Sequence, residues 1–240
     1  MSRKQREIQQ REASILRVVR RMLLEGGYLR LSMDAVAAEL EYSKGTIYNH
    51  FPCKEEIIIA LAIETLNIRS AMFEKAAVQS GRPRVRLTGV GAAAETFVKK
   101  HPEHFRVEQL IRCASIWEKT SEKRRLAMQQ SEQRCMGIVG GIIRDGIAQG
   151  DLSLPDDIAA EDLVFGLWSQ TFGAYSIIAT SPSLPENGIS NPYRAVRQNL
   201  NMILDGYGWQ PLSRDYNYLE LFDVLMEKLF SGQPQEAVLS

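Results

Sequence analysis

LSMDAVAAELEYSKGTIYNHFPCKEE, residues Leu31–Glu56, is the stretch on which the fold turns. Ser32 is an N-cap residue, whose side-chain oxygen can accept from a backbone N–H just inside the helix, and Asp34 suits the positive end of that helix. Val36, Ala37 and Leu40 supply its apolar face. Ser43 repeats the capping signal after only the three-residue connection Leu40-Glu41-Tyr42, and Phe51-Pro52 ends the helix that Ser43 opens. Two short helices joined so tightly form a helix-turn-helix pattern. In such a pair the second helix enters the major groove of DNA with its N-terminal residues nearest the bases.

The two sides of that second helix differ. At about 100° per residue, Ile47 and Phe51 fall on one side, while Gly45, Thr46, Asn49 and His50 fall broadly on the other. The first pair can anchor the helix; the second set has little apolar area to bury. Gly45 lets a backbone come close. Thr46 offers a hydroxyl to phosphate or a methyl to thymine, and Asn49 carries the donor–acceptor edge that matches adenine. Tyr48 and His50 can donate to phosphate oxygens, and Lys44 can reach phosphate or a guanine edge. Lys54 stands at the start of the next helix, where exposed N–H groups also favour phosphate.

Outward from this stretch the pattern stays helical. Ile8, Ile15, Val18, Val19 and Met22 recur at helical spacing up to Gly26-Gly27, which stops the helix. Further helices are expected at about 54–79, 82–100, a short one from His101-Pro102, 121–149, 156–180, 192–205 and 213–230. The last residues, 233–240, read as a loose tail. No strand, repeat or low-complexity tract is found. The fold class is all-α: a three-helix, helix-turn-helix DNA-binding domain over residues 1–53, then a second helical domain over 54–232.

Composition limits the partners. Lys+Arg and Asp+Glu are 29 each in 240 residues, so total charge says nothing about nucleic acid and its distribution decides. The first thirty residues hold Arg3, Lys4, Arg6, Arg11, Arg17, Arg20, Arg21 and Arg30 against only Glu7, Glu12 and Glu25, which points to a local anionic partner. Three dispersed cysteines, Cys53, Cys113 and Cys135, make no disulfide framework and suggest a reducing compartment. The charged N-terminus is unlike a signal peptide, so a cytoplasmic location is expected. Leu163–Pro185 carries no charge but is interrupted by polar residues and ended by prolines. It reads as a buried helix rather than a membrane span.

With these residues in place, Ser32, Val36-Ala37, the run Ser43 to Phe51 and Lys54-Glu55-Glu56 resemble the DNA-binding segment of the TetR (tetracycline-repressor-like) family of transcriptional regulators, over about residues 8–60. The resemblance implies that Ser32 and Ser43 cap helices at phosphates, and that Tyr48, His50 and Lys54 hold the DNA backbone. It places Lys44, Gly45, Thr46 and Asn49 near base edges. It also implies a symmetric homodimer built by the C-terminal helices, an effector pocket among them, and repression of transcription until a ligand releases the protein from a pseudo-palindromic, double-stranded operator. Two departures stand out. Glu41 and Tyr42 replace the family's usual glycine and small apolar residue, and a left-handed Glu41 would cost about 1 kcal/mol. Cys53 stands where Ser, Asn or Asp commonly caps the fourth helix, a loss of about 1 kcal/mol.

Phe73, Phe97, Phe105, Trp117, Met136, Trp168, Phe172 and Tyr175, with Arg112, Cys113 and Gln170 as polar groups, are candidates to line a pocket for a partly apolar small molecule. The helices around Trp168 and from Pro192 are candidates for the dimer interface. His101-Pro-Glu-His104 reads as helix capping and exposed surface, with no metal and no cofactor expected. Gly137, Gly140 and Gly141 lack the preceding strand of a phosphate loop and suggest close packing or a kink. A regulator controlled by a protein partner is one alternative. A helical enzyme is another, with no nucleophile, base and acid set to support it.

Overall fold

The computed structural model describes residues 2–231; the tail expected at 233–240 lies outside them. Among the described residues all regular structure is helical: α1 Arg3–Arg30, α2 Met33–Glu39, α3 Lys44–His50, α4 Lys54–Ala77, α5 Pro83–Lys100, α6 Pro102–Leu110, α7 Ala114–Glu118, α8 Glu122–Ala148, α9 Ala160–Thr180, α10 Pro192–Gly206 and α11 Tyr218–Phe230. No helix is long and apolar enough to cross a membrane.

Two compact units are formed. One takes the residues up to Asn67 together with His101–Glu132; the other takes Ile68–Lys100 and the residues from Gln133 onward. The first unit thus gathers α6 and α7, which lie beyond the boundary expected at residue 53. Its core joins Ile15, Val19 and Leu23 of α1 to Val36 and Ala37, to Ile47 and Phe51, and to Ile57, Ile58, Leu61 and Leu66 of α4. Val107, Ile111, Ile116 and Met128 enter the same core. A domain of only three helices would bury little apolar area for its length, and the added segments supply more.

Gly27 leaves helical geometry with φ 68 and ψ 177, so the first helix breaks where Gly26-Gly27 was expected to stop it, and a short further helical piece runs on to Arg30. The short α7 had no signal in the sequence. α9 starts at Ala160, later than the proline at 155 suggested, with Asp162 Oδ2 accepting from Ala159 N–H at 2.8 Å.

In the second unit α5 packs on α11. A Cβ at Gly89 would stand 3.5 Å from Ala76 Cβ and 3.7 Å from Leu225 Cδ1, and one at Gly91 would stand 3.2 Å from Phe222. Fully buried Arg84 donates to the carbonyl oxygens of Trp209 and Pro211, pairs with Asp205 at 2.6 Å and lies over the Tyr218 ring. Buried Glu95 accepts two bonds from Arg197, at 2.7 and 2.8 Å, and Arg197 also reaches Asp223, so α5, α10 and α11 are tied at one place. Of the three glycines expected to pack closely, Gly137 and Gly141 face open space and Gly140 would bring a Cβ 3.3 Å from the Arg144 side chain; the tightest site on α8 is Gly146, where a Cβ would meet the buried Trp209 ring at 2.9 Å.

α9, uncharged from Leu163 onward, is not buried all round. Leu163, Val164, Leu167 and Tyr175 are buried, whereas Phe165 is 62% exposed and Ile177 54% exposed. That half-exposed state corrects the expectation of a buried helix.

Candidate nucleic-acid interface

The turn between α2 and α3 is built from its backbone. Leu40 caps α2, Glu41 N–H donates to Ala38 O at 3.2 Å, and Tyr42 N–H donates to Ala37 O at 3.0 Å. This is the paired closure that satisfies the last carbonyls of a helix, and it needs a left-handed residue after the cap. Glu41 supplies it with φ 55, as feared from the sequence. Tyr42 then takes the position where an apolar contact commonly accompanies this closure, and its side chain is packed against the core. Both unusual residues thus have a structural place.

Ser32 and Ser43 act as N-caps. Ser32 Oγ accepts from Ala35 N–H, and Ser43 Oγ accepts from Thr46 N–H, each at 3.1 Å. Ser43 Oγ also shares a hydrogen bond with Thr46 Oγ1 at 2.8 Å. Ile47 and Phe51 are buried and hold the back of α3. Lys44, Gly45, Tyr48 and Asn49 are exposed, and Thr46 is half-exposed. A Cβ at Gly45 would meet only Ser43 Oγ, at 3.8 Å, so that side of the helix is open.

Three of the side chains expected to contact DNA are already engaged within the unit. Lys44 Nζ donates to Asp34 Oδ2 at 2.6 Å, bridging α3 to α2. Lys54 lies 4.1 Å over the Tyr28 ring and donates to Leu31 O at 3.3 Å. His50 is less exposed than its position on the helix suggested: its side chain is 9% exposed, with Nδ1 3.5 Å from Glu12 Oε1 on α1.

The start of α4 is secured by charge. Glu55 accepts from Tyr28 OH at 3.0 Å and from Lys119 at 3.2 Å. Burial pushes the Glu55 carboxyl up, but its own backbone N–H, Lys119 and Tyr28 outweigh that and hold it below the ordinary value. Burial and the bond to Glu55 push the Tyr28 phenol up to about 12. Glu56 pairs with Arg124 at 3.1 Å. Cys53, in the capping place, turns its thiol to Lys119 O at 3.6 Å. Lys119 and Arg124, the basic partners of Glu55 and Glu56, stand 64 and 68 residues away in sequence, and no local spacing signals such pairs.

The pocket candidates fall in both units. Phe105, Arg112, Cys113 and Trp117 belong to the first, where Phe105 is buried, Arg112 and Cys113 are exposed, and Trp117 donates to Ile111 O at 2.6 Å. Phe73, Phe97, Met136, Trp168, Gln170, Phe172 and Tyr175 belong to the second, where Phe73, Phe97 and Tyr175 are buried and the other four are half-buried. In that unit Trp168 approaches Phe165 and Phe172. Ser70 Oγ, Thr96 Oγ1, Gln170 Oε1 and Ser176 Oγ are buried there without a hydrogen-bond partner; of these only Gln170 was singled out from the sequence. His101 and His104 contradict their expected role: the His101 side chain makes no cap bond, and His104 is fully buried.

Comparison with known proteins gives the same region. Residues 15–61 match the family model described as bacterial regulatory proteins, tetR family. Uncharacterized HTH-type transcriptional regulators of Mycobacterium tuberculosis and Mycobacterium bovis are 48% identical over 54 residues. That match covers 22% of this chain and only 27% of each relative. Among solved structures, a tetR-family regulatory protein from Rhodococcus RHA1 aligns over 82% of this chain and 96% of its own, with 20% identity and a TM-score of 0.63. A transcriptional regulator from Saccharomonospora viridis, solved in complex with choline, aligns over 82% and 96%, with 21% identity and a TM-score of 0.62. SmeT, solved with triclosan, aligns over 82% and 90%, with 16% identity and a TM-score of 0.57. At these identities the likeness to the solved structures is one of fold.

Proposed function

We infer that this chain, whose N-terminal unit carries a helix-turn-helix of the TetR family, is a homodimeric, sequence-specific DNA-binding regulator of transcription, a repressor that a small-molecule effector releases from its operator. The observation that carries the reading is α3: buried Ile47 and Phe51 fix its back, while Lys44, Gly45, Tyr48 and Asn49 stand exposed with Thr46 at their edge. Asn49 and Thr46 read base edges, Gly45 admits the backbone, and Ser32, Ser43 and Tyr48 bind phosphates. Lys44 and Lys54 join by exchanging Asp34 and the Tyr28 ring for phosphate oxygens. His50 acts from the α1–α3 junction, steered by Glu12.

Dimerisation is assigned to α9 and α10. Phe165 and Ile177 on α9 and Met202 on α10 leave large apolar side chains in solvent, and α9 carries no charged residue from Leu163 onward. Exposed apolar side chains on such helices suit a surface that a second copy covers. The effector is assigned to the second unit, which holds the buried, unpartnered Thr96 Oγ1, Gln170 Oε1 and Ser176 Oγ as well as the aromatic candidates Trp168, Phe172 and Tyr175. Buried polar atoms of this kind call for a partner, which suits a partly apolar ligand with a hydrogen-bonding group. The choline and triclosan complexes of fold neighbours are compatible with such a ligand.

The test is a mobility shift of the purified chain on genomic fragments at two salt concentrations. Binding should weaken steeply with salt, since each phosphate neutralised contributes a slope of about −0.9 in log K against log salt. Absent or salt-insensitive binding to every fragment would refute the reading.

A further inference from the structure

We propose that His101, Glu103 and His104 form a binding site for one divalent transition-metal ion. The three residues begin α6 inside the first unit. One ligand atom from each comes within 4.8 Å of the others. Glu103 Oε1 stands between the two rings, 3.8 Å from His101 Nδ1 and 3.9 Å from His104 Nε2. Small side-chain rotations close such a set onto an ion at the usual distance of about 2.0–2.2 Å for imidazole and carboxylate ligands. Two imidazoles and a carboxylate, with water completing the shell, suit zinc-class chemistry.

The surroundings support a site rather than chance proximity. Thr65 Oγ1 on α4 lies 2.8 Å from His104 Nδ1. With the Nδ1 proton held on that hydroxyl, the Nε2 lone pair faces Glu103, an outer bond of the kind that orients metal-binding histidines. Pro102 fixes the backbone between the first two ligands. His104 is fully buried, but the His101 and Glu103 side chains are 12% and 18% exposed, which leaves an entry path. Arg20, whose charge bears on His104, is engaged by Glu64 at 2.7 Å. A bound ion would brace the first turn of α6, whose His104 is hydrogen-bonded to Thr65 of α4, within the unit that carries α3. The proposal is independent of DNA binding, and its test contains no DNA.

The experiment titrates the metal-stripped full chain with Co2+ as a coloured probe, followed by competition with Zn2+. Visible absorption saturating at one equivalent and displaced by Zn2+ is expected. His101→Ala and Glu103→Gln, at partly exposed side chains, should each weaken binding at least tenfold with unchanged circular dichroism. Thr65→Val, which removes no ligand, should weaken it by about tenfold. X-ray absorption of the Zn2+-loaded native chain needs no variant and should show only nitrogen and oxygen neighbours, two of them imidazole. No saturable cobalt signal, affinity kept within twofold in the His101→Ala/Glu103→Gln double variant, or sulfur bound to zinc would each overturn the proposal.

Discussion

Glu41 is held left-handed because the closing turn of α2 requires it, and the side chain is exposed with nothing to gain there. Glu41→Gly should therefore stabilise the chain by roughly 0.5–1 kcal/mol, the relieved strain exceeding the added chain entropy. For a chain of this length that is a rise in Tm of about 1–4 °C, read by calorimetry. The same substitution removes a carboxylate beside the recognition helix and should strengthen DNA binding in a mobility shift. His104 makes a second prediction at this scale. Burial, then the charge of Arg20, lowers its pKa from 6.5 to about 4. The unfolded chain therefore binds the extra proton first. Metal-free protein should lose stability as pH falls from about 6.5 to about 4, by at most about 3 kcal/mol, and His104→Gln should flatten that part of the curve in urea melts. A profile unchanged by the substitution would contradict the assignment. From the sequence the capping serines and the strain at Glu41 were legible, because each follows from local backbone chemistry. The burial of His104 was not, because Thr65 and Arg20 reach it from distant segments.

At the scale of elements, α2, α3, α5 and α10 begin within a residue of expectation because a cap or a proline marks each, whereas α11, expected from residue 213, begins at Tyr218. The start of α9 was misplaced because Pro155 is a start signal by type, whereas Asp162 accepting from Ala159 N–H sets the actual beginning. The face of α9 left in solvent was hidden too, since an uncharged run looks alike whether its neighbours cover one side or both. α3 allows a direct test of its cap. Ser43→Ala should cost about 1 kcal/mol by chemical denaturation and loosen the start of the recognition helix. On α8 the tight contact belongs to Gly146. Gly146→Ala drives a methyl into the Trp209 ring and should cost about 1–3 kcal/mol, whereas Gly137→Ala, facing open space, should be stabilising by up to about 1 kcal/mol.

For the whole molecule, the account joins two expectations: a second copy covers the apolar side of α9 and α10, and the pair presents two α3 helices to one duplex. Phe165→Glu should shift sedimentation toward monomer while leaving the helical spectrum intact, and should weaken operator binding through lost bivalence. Twofold symmetry then requires an inverted repeat with half-sites about 34 Å apart, or a multiple of that. The central claim is that the polar side of α3 reads DNA, and selection of bound duplexes from a random library, by the native chain and by Asn49→Ala, tests it most directly. The account predicts an enriched inverted repeat for the native chain, with preference lost at particular positions in the variant. No enriched sequence, or the same preference from both proteins, would contradict it.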